Sequence, residues 1–285
     1  MKILELFNNS VKLLDNVGIK TSKLDAKILL AHLLNIDSKE LILHFNKNVK
    51  QEFIDNFNKL LSRRINREPI ANILNKKLFW DYSFFVDQNV LTPRNDSETL
   101  IEAVLSHYKN KNQELKILDL GTGSGCLILT LLKIYKNANG IGIDINEKSL
   151  QIAKKNAKLL EIDNRISFIK NNWNDNIDDK FDIIISNPPY IPTDEIDILE
   201  PEVNKFNPLL ALDGGTDGLD CYKYLSKSLQ KNIKNSTKIF LEIGKGQEND
   251  IDYIFSANNY KLLNMYKDLS GVNRVLCFVP RETVK

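Results

Sequence analysis

Histidine, cysteine and long apolar runs are all scarce in this 285-residue chain, and each shortage removes a class of chemistry. The three histidines, His32, His44 and His107, show no metal-ligand spacing such as H-E-x-x-H, and they leave few candidates for an imidazole base. Cys126, Cys221 and Cys277 stand far apart, without a C-x-x-C pair and odd in number. That excludes a disulfide framework and a zinc cluster, points to a reducing cytoplasm, and leaves no metal expected. No uninterrupted apolar run reaches the roughly 18 residues of a membrane span. The N-terminus carries Glu5 among its apolar residues and lacks a small-residue cleavage site, so no signal peptide is expected. Charge of one sign is also missing. Lys and Arg number 39 against 37 Asp and Glu, a net +2, which is not the strongly basic body that grips nucleic acid non-specifically.

What remains is an ordinary globular composition, 27% charged and 42% hydrophobic, in a length that suggests two domains. Residues 1–70 read as a helical domain. Ile3, Leu6, Phe7, Val11 and Leu14 share one face at a period near 3.6, and Phe53, Ile54, Phe57, Leu60, Leu61 and Ile65 form another stripe. Ser22 with Asp25 reads as a capping box opening a further helix. Arg67-Glu68-Pro69 closes the helical part. Residues 71–95 read as a linker, with a β-hairpin over Leu78–Leu91 where aromatic and β-branched residues concentrate.

Residues 96–285 alternate. Helices are expected at Thr99–Tyr108, Leu127–Tyr135, Lys148–Leu160 and Leu219–Ile233. Strands are expected at Lys116–Leu120, Gly140–Ile145, Ile166–Lys170, Phe181–Ser186 and Lys238–Ile243. A terminal pair, Tyr260–Tyr266 and Arg274–Val279, ends the chain. This pattern predicts an α/β, Rossmann-like parallel sheet with an antiparallel ending.

Two motifs fall at the carboxyl ends of expected strands. Leu118-Asp119-Leu120-Gly121-Thr122-Gly123-Ser124-Gly125 is a glycine turn running into a helix, the place where a doubly wound sheet binds nucleotide-like ligands. Asp144 ends the next strand, 23 positions after Gly121, close to the spacing at which a carboxylate meets ribose hydroxyls. The spacing is not the dinucleotide G-x-G-x-x-G, because Cys126 sits where that pattern needs its last glycine. A G-x-G-x-G turn resembles S-adenosylmethionine (SAM) sites instead. Trp173 follows the third strand and is either an adenine-facing ring or a core aromatic.

The second motif is Asn187-Pro188-Pro189-Tyr190, after the apolar run Phe181–Ile185. Two prolines fix the chain and remove two N–H donors. The Pro188 carbonyl and the Asn187 amide oxygen are then free to accept side by side, which matches a planar –NH2 group. Such a nitrogen is a poor nucleophile, because its lone pair is delocalised. Holding both hydrogens directs that lone pair at an electrophilic methyl, with Tyr190 against the flat face.

This combination resembles the amino-methyltransferases, which act on adenine or cytosine in DNA or on protein glutamine. Further stretches resemble the HemK/PrmC family: Arg67–Ala71, Phe79-Trp80, Leu91–Glu98, Leu209–Leu219 and Asp268–Arg274. The similarity is collinear from about residue 20 to the end. Membership implies SAM-dependent methylation of N5 of the glutamine in the Gly-Gly-Gln loop of class 1 peptide chain release factors. It implies a SAM site lined by Gly121, Thr122, Gly123, Ser124, Gly125, Asp144, Trp173 and Asn187. Asn187, Pro188, Pro189 and Tyr190 would hold the glutamine, with Asn187, Pro188 and Tyr190 catalytic. The helical domain becomes a substrate-recognition domain.

Three positions depart from the family pattern. Asn95 replaces a proline, Asn172 an acidic residue before Trp173, and Asn207 a glutamate before Pro208. The alternative, an N6-adenine DNA methyltransferase, would need a basic groove and often a recognition insertion; net charge and short connections leave little room for either. An intact Asn187 motif argues against a non-catalytic SAM-binding adaptor. A basic cluster of Lys47, Lys50, Arg63, Arg64 and Arg67 reads as a solvated helix face or as a contact for a release factor or ribosome-associated RNA. The expectation is a monomeric cytoplasmic enzyme with a protein substrate, no membrane partner and no DNA partner.

Overall fold

A computed structural model describes residues 1–175 and 177–281. They form two units, residues 1–76 with 200–206, and residues 77–199 with 207–281. No helix among the described residues is long and apolar enough to cross a membrane.

The first unit is helical: α1 (Ile3–Asn16), α2 (Ser22–Leu34), α3 (Gln51–Ile65) and α4 (Ile70–Leu74). Ile3, Leu6, Val11 and Leu14 of α1 pack with Leu29, Leu30, Phe57, Leu61 and Ile73 into one core, as the 3.6-residue period requires. Pro69 does not end the helical part; it stands immediately before α4, a position where its missing N–H costs nothing. The expected capping box is also absent. Ser22 lies inside α2 behind Thr21, and Asp25 serves elsewhere, accepting from Thr21 Oγ1 at 2.9 Å and from Arg64 Nε at 2.7 Å.

That pairing changes the reading of the basic cluster. Arg64 is only 5% exposed and binds both Asp25 and Glu202. Arg67 meets Glu202 at 2.8 Å, and Arg63 pairs with Glu68. The three arginines are thus neutralised within the unit. Arg64 is no solvated face, and these side chains do not make a basic surface.

The second unit opens with a hairpin of β1 (Lys77–Phe79) and β2 (Tyr82–Phe84), much shorter than the expected Leu78–Leu91. The reason is local. Beyond Phe84 the Asn156 side chain takes both backbone groups of Phe85, accepting from its N–H at 2.7 Å and donating to its carbonyl at 3.0 Å. Residues 85–91 therefore leave strand pairing.

The remaining elements are α5 (Glu98–His107), β3 (Lys116–Leu120), α6 (Cys126–Ile134), β4 (Asn139–Asp144), α7 (Glu147–Leu159), β5 (Ile166–Lys170) and β6 (Phe181–Ser186). The short α8 (Pro201–Asn204) belongs to the first unit. Then come α9 (Asp220–Ser228), β7 (Ile233–Glu242), α10 (Glu248–Ala257), β8 (Tyr260–Lys267) and β9 (Asn273–Pro280). The sheet order is β5-β4-β3-β6-β7-β9-β8, parallel except for β9, which is antiparallel to both neighbours. The expected helix Leu219–Ile233 ends early, because Ile233 already begins β7.

Alternation splits the core across the sheet. Ile117, Ile183 and Ile185 face α5 and α6 residues such as Val104, Ile128 and Leu131, while Leu118, Ile184 and Ile239 face Tyr222, Leu225 and Phe255. Strands buried on both faces read as continuous apolar runs, as 181–185 does.

Candidate active site

β3 and β6 are adjacent and parallel, with Leu120 opposite Ser186. Ser186 Oγ donates to the Leu120 carbonyl at 2.7 Å, so the glycine turn and the Asn-Pro-Pro-Tyr motif leave the sheet side by side. Sheet order alone therefore brings the two motifs together.

The glycine turn is held from within. Thr122 N–H donates to the Ile143 carbonyl at 2.8 Å and Thr122 Oγ1 to Asp119 Oδ2 at 2.7 Å. Asp119 is fully buried, with Oδ1 lacking a hydrogen-bond partner, and burial pushes its carboxyl up to about 7. Gly125 caps α6 at φ +80°, and a Cβ there would press on Leu129 and Ala153. Only glycine suits both constraints.

Asp144 ends β4 and reaches back over the turn. Its Oδ2 accepts from Gly123 N–H at 2.9 Å and its Oδ1 from Asn146 N–H at 2.8 Å. Burial raises its carboxyl above the ordinary range, and these backbone donors oppose the rise.

A cavity of about 310 Å³ opens here, at the lower end of the size range of small-molecule sites. Its walls include Gly121, Thr122, Gly123, Ser124, Asp144, Trp173, Asn187 and Pro189. Gly125, Pro188 and Tyr190 are not among the lining residues. Gly125 turns towards Leu129, and Pro188 and Tyr190 flank the lining Pro189 in the chain. Trp173 stands at the edge of the cavity. It lines the cavity and also packs on the core, with its ring centroid 6.5 Å from that of Tyr224.

The segment after the motif is clamped. Ile191 N–H donates to the Leu212 carbonyl, and Gly214 N–H to the Ile191 carbonyl. Gln247 Nε2 donates to the Tyr190 carbonyl at 3.0 Å, and a Cβ on Gly218, at φ +72°, would overlap that same carbonyl oxygen. These contacts explain why a Gly-rich stretch, 214–218, is needed far along the chain.

One wall was not assigned from the sequence. Leu91, Pro93, Arg94 and Ser97 line the cavity, as do Leu210 and Asp213. The stretches 91–98 and 209–219 were visible only as family resemblance, because no chemical pattern inside them announces a ligand. The departures are accommodated. Asn207 Oδ1 accepts from Thr92 N–H at 3.2 Å, Asn95 Oδ1 from Lys77 Nζ at 3.0 Å, and Asn172 lines the cavity.

Two family models match the chain, the PrmC N-terminal domain over residues 5–74 and a methyltransferase domain over residues 111–259. A release factor glutamine methyltransferase of Agrobacterium fabrum is 35% identical, with 94% of this chain and 93% of that protein covered. One from Rhodospirillum rubrum is 37% identical over 91% of this chain and 79% of its own length. The bifunctional methyltransferase of Rickettsia felis is 35% identical, but the chain spans just over half of that protein, 56%.

Among solved structures, the catalytic domain of hMettl16 matches with a TM-score of 0.56 at 14% identity, covering 71% of this chain and 77% of that one. A ribosomal protein L11 methylase from Lactobacillus delbrueckii subsp. bulgaricus matches at 0.50 and 19% identity, covering 66% and 81%. These two likenesses establish the methyltransferase fold, and the closer sequence relatives establish the lineage. The chain belongs to the HemK/PrmC family of release factor glutamine methyltransferases.

Proposed function

We propose that this chain transfers the methyl group of SAM to N5 of the glutamine in the Gly-Gly-Gln loop of class 1 peptide chain release factors. One observation carries the reading: in a chain of this family, the glycine turn, Asp144 and Asn187 line a single cavity.

The residues fit SAM. Asp144 spends one hydrogen bond per carboxylate oxygen on the backbone. Each oxygen can accept a second, so capacity remains for two ribose hydroxyls. Gly121 and Gly123, both at positive φ, let a ligand approach the backbone closely. Trp173 offers a ring to adenine, and Asn172 an amide oxygen to its amino group. SAM, when bound, supplies an electrophilic methyl on a sulfonium.

The chain's own part is positioning. Asn187 Oδ1 and the Pro188 carbonyl accept the two hydrogens of the glutamine amide and direct its lone pair. Pro189 walls the site, and Tyr190 packs on the flat face of the amide. Aligning the two reactants in this way contributes more than proton transfer would, which suits a site without histidine. We assign recognition of the release factor body to the N-terminal helical unit, and we take the enzyme to work as a cytoplasmic monomer.

The test is transfer of label from methyl-labelled SAM in three parallel reactions: a release factor, its Gly-Gly-Ala variant, and adenine-containing DNA. Label only on the intact release factor is expected. Label on DNA, or label that survives loss of the glutamine, contradicts the proposal.

A further inference from the structure

The two prolines that free the Pro188 carbonyl also leave the turn with little to hold it. Neither has an N–H, so the motif has to be held from its two ends. At the near end Ser186 Oγ donates to the Leu120 carbonyl at 2.7 Å. At the far end the Tyr190 carbonyl accepts from Gln247 Nε2 at 3.0 Å. Gln247 stands at the N-cap of α10, half-buried and outside the cavity lining.

Backbone groups alone fix the polarity of the Gln247 amide. Its Nε2 faces two carbonyls, that of Tyr190 and, at 3.4 Å, that of Gly218. Its Oε1 accepts from the Gly244 N–H at 2.9 Å. A carbonyl only accepts and a backbone N–H only donates, so a flipped amide would satisfy none of the three. Two glycines leave this side chain its room. A Cβ on Gly244 would come within 2.7 Å of Gln247 Oε1 and 3.1 Å of the Tyr190 ring, and one on Gly218 within 2.7 Å of Gln247 Nε2.

We propose that Gln247 is a positioning residue for methyl transfer, pinning the Tyr190 peptide so that the Pro188 carbonyl and the Tyr190 ring meet the target amide in register. The inference rests on the reading of Asn187–Tyr190 as the holder of that amide. With both proline φ angles fixed, the Pro-Pro pair has little freedom to absorb a displacement at Tyr190, which passes on to the Pro188 carbonyl. Ile191 N–H to the Leu212 carbonyl at 3.1 Å and Thr193 N–H to the Gly215 carbonyl at 3.0 Å hold the chain beyond the motif. Gln247 holds the last residue of the motif itself, and a small misplacement there costs rate because transfer depends on alignment.

The experiment compares wild type with Gln247→Met and Gln247→Glu at pH 8, well above the ordinary glutamate range. Gln247→Met fills a similar volume without the hydrogen bonds. Gln247→Glu keeps an acceptor for Gly244 but sets a second acceptor against two carbonyls. The measurements are kcat and KM for the release factor, SAM affinity by calorimetry, and backbone hydrogen exchange at Ile191 and Thr193 by nitrogen-15 NMR. Gln247→Met should lower kcat roughly 10-fold, the scale of one polar contact, with KM and SAM affinity nearly unchanged. Gln247→Glu should be slower again by roughly another 10-fold, because acceptor then faces acceptor. Exchange at Ile191 should be slow in wild type and faster in both variants.

Unchanged kcat in Gln247→Met, or a loss of SAM affinity as large as the loss of rate, would overturn the assignment. A Gln247→Glu rate no lower than that of Gln247→Met would do the same, since the side chain would then only fill space. Exchange at Ile191 that neither variant alters would overturn the pin without reference to activity. A wild-type protein that fails to methylate the release factor contradicts the proposed function instead, and the exchange measurement still decides the pin.

Discussion

Asn187 and Asp144 make separable demands on the proposed reaction. Asn187 acts on the methyl acceptor, so Asn187→Ala should slow transfer by about 10²–10³-fold, comparable to losing one preorganised polar contact in a transition state. SAM affinity should change far less. A single-turnover assay with saturating SAM measures the rate, and near wild-type transfer would remove Asn187 from its role. On the proposed reading Asp144 holds the ribose, so Asp144→Ala should weaken SAM binding about 10- to 100-fold, the loss of hydrogen bonds to a charged group. Unchanged affinity in a calorimetric titration would contradict that assignment. Both residues were readable from sequence because each sits at a strand end in a short, chemically odd pattern.

At the scale of elements, β3 carries a burden that its sequence shows only in part. Asp119 lies at 0% exposure behind the glycine turn, and burial raises its carboxyl from 3.8 to about 7. Between those values the folded chain holds a proton that the unfolded chain has released. This contribution to stability is therefore present at low pH and is lost as pH rises towards 7. Asp119→Asn should flatten the loss. Urea unfolding at pH 5 and pH 8 should show wild type losing on the order of 1–3 kcal/mol more than the variant across that interval. Equal losses would mean that Asp119 is not held protonated by burial. Most sheet strands were legible at this scale, β3, β5 and β6 to the residue, and β6 most plainly, because a strand buried on both faces reads as an apolar run. The helix α10 was missed between β7 and β8. Its buried Ile251 and Phe255 are spaced i, i+4, but they stand in a stretch of Asp, Asn and Ser that reads as a loop. The hairpin was overextended because residues 85–91 have strand-forming composition, yet Asn156 supplies their first pairing.

For the whole molecule, net charge was a weak guide and pairing a strong one. A basic N-terminal cluster read as a solvated helix face or a partner contact until Arg64 and Arg67 met Glu202 and Arg63 met Glu68. Sequence shows which charges a chain has; only the fold shows which of them remain available. The near balance of charge still agrees with a protein substrate in place of a phosphate backbone. The family match extends over the helical domain as well as the catalytic one, and on the proposed function both parts of the chain bear on the choice of substrate.

Tandem mass spectrometry of the Gly-Gly-Gln peptide, after incubating a class 1 release factor with this protein and SAM, decides that choice. A single added methyl on the glutamine side-chain nitrogen, absent when Asn187→Ala replaces wild type, is the predicted result. An unmodified glutamine, or a methyl placed on any other residue, would contradict it.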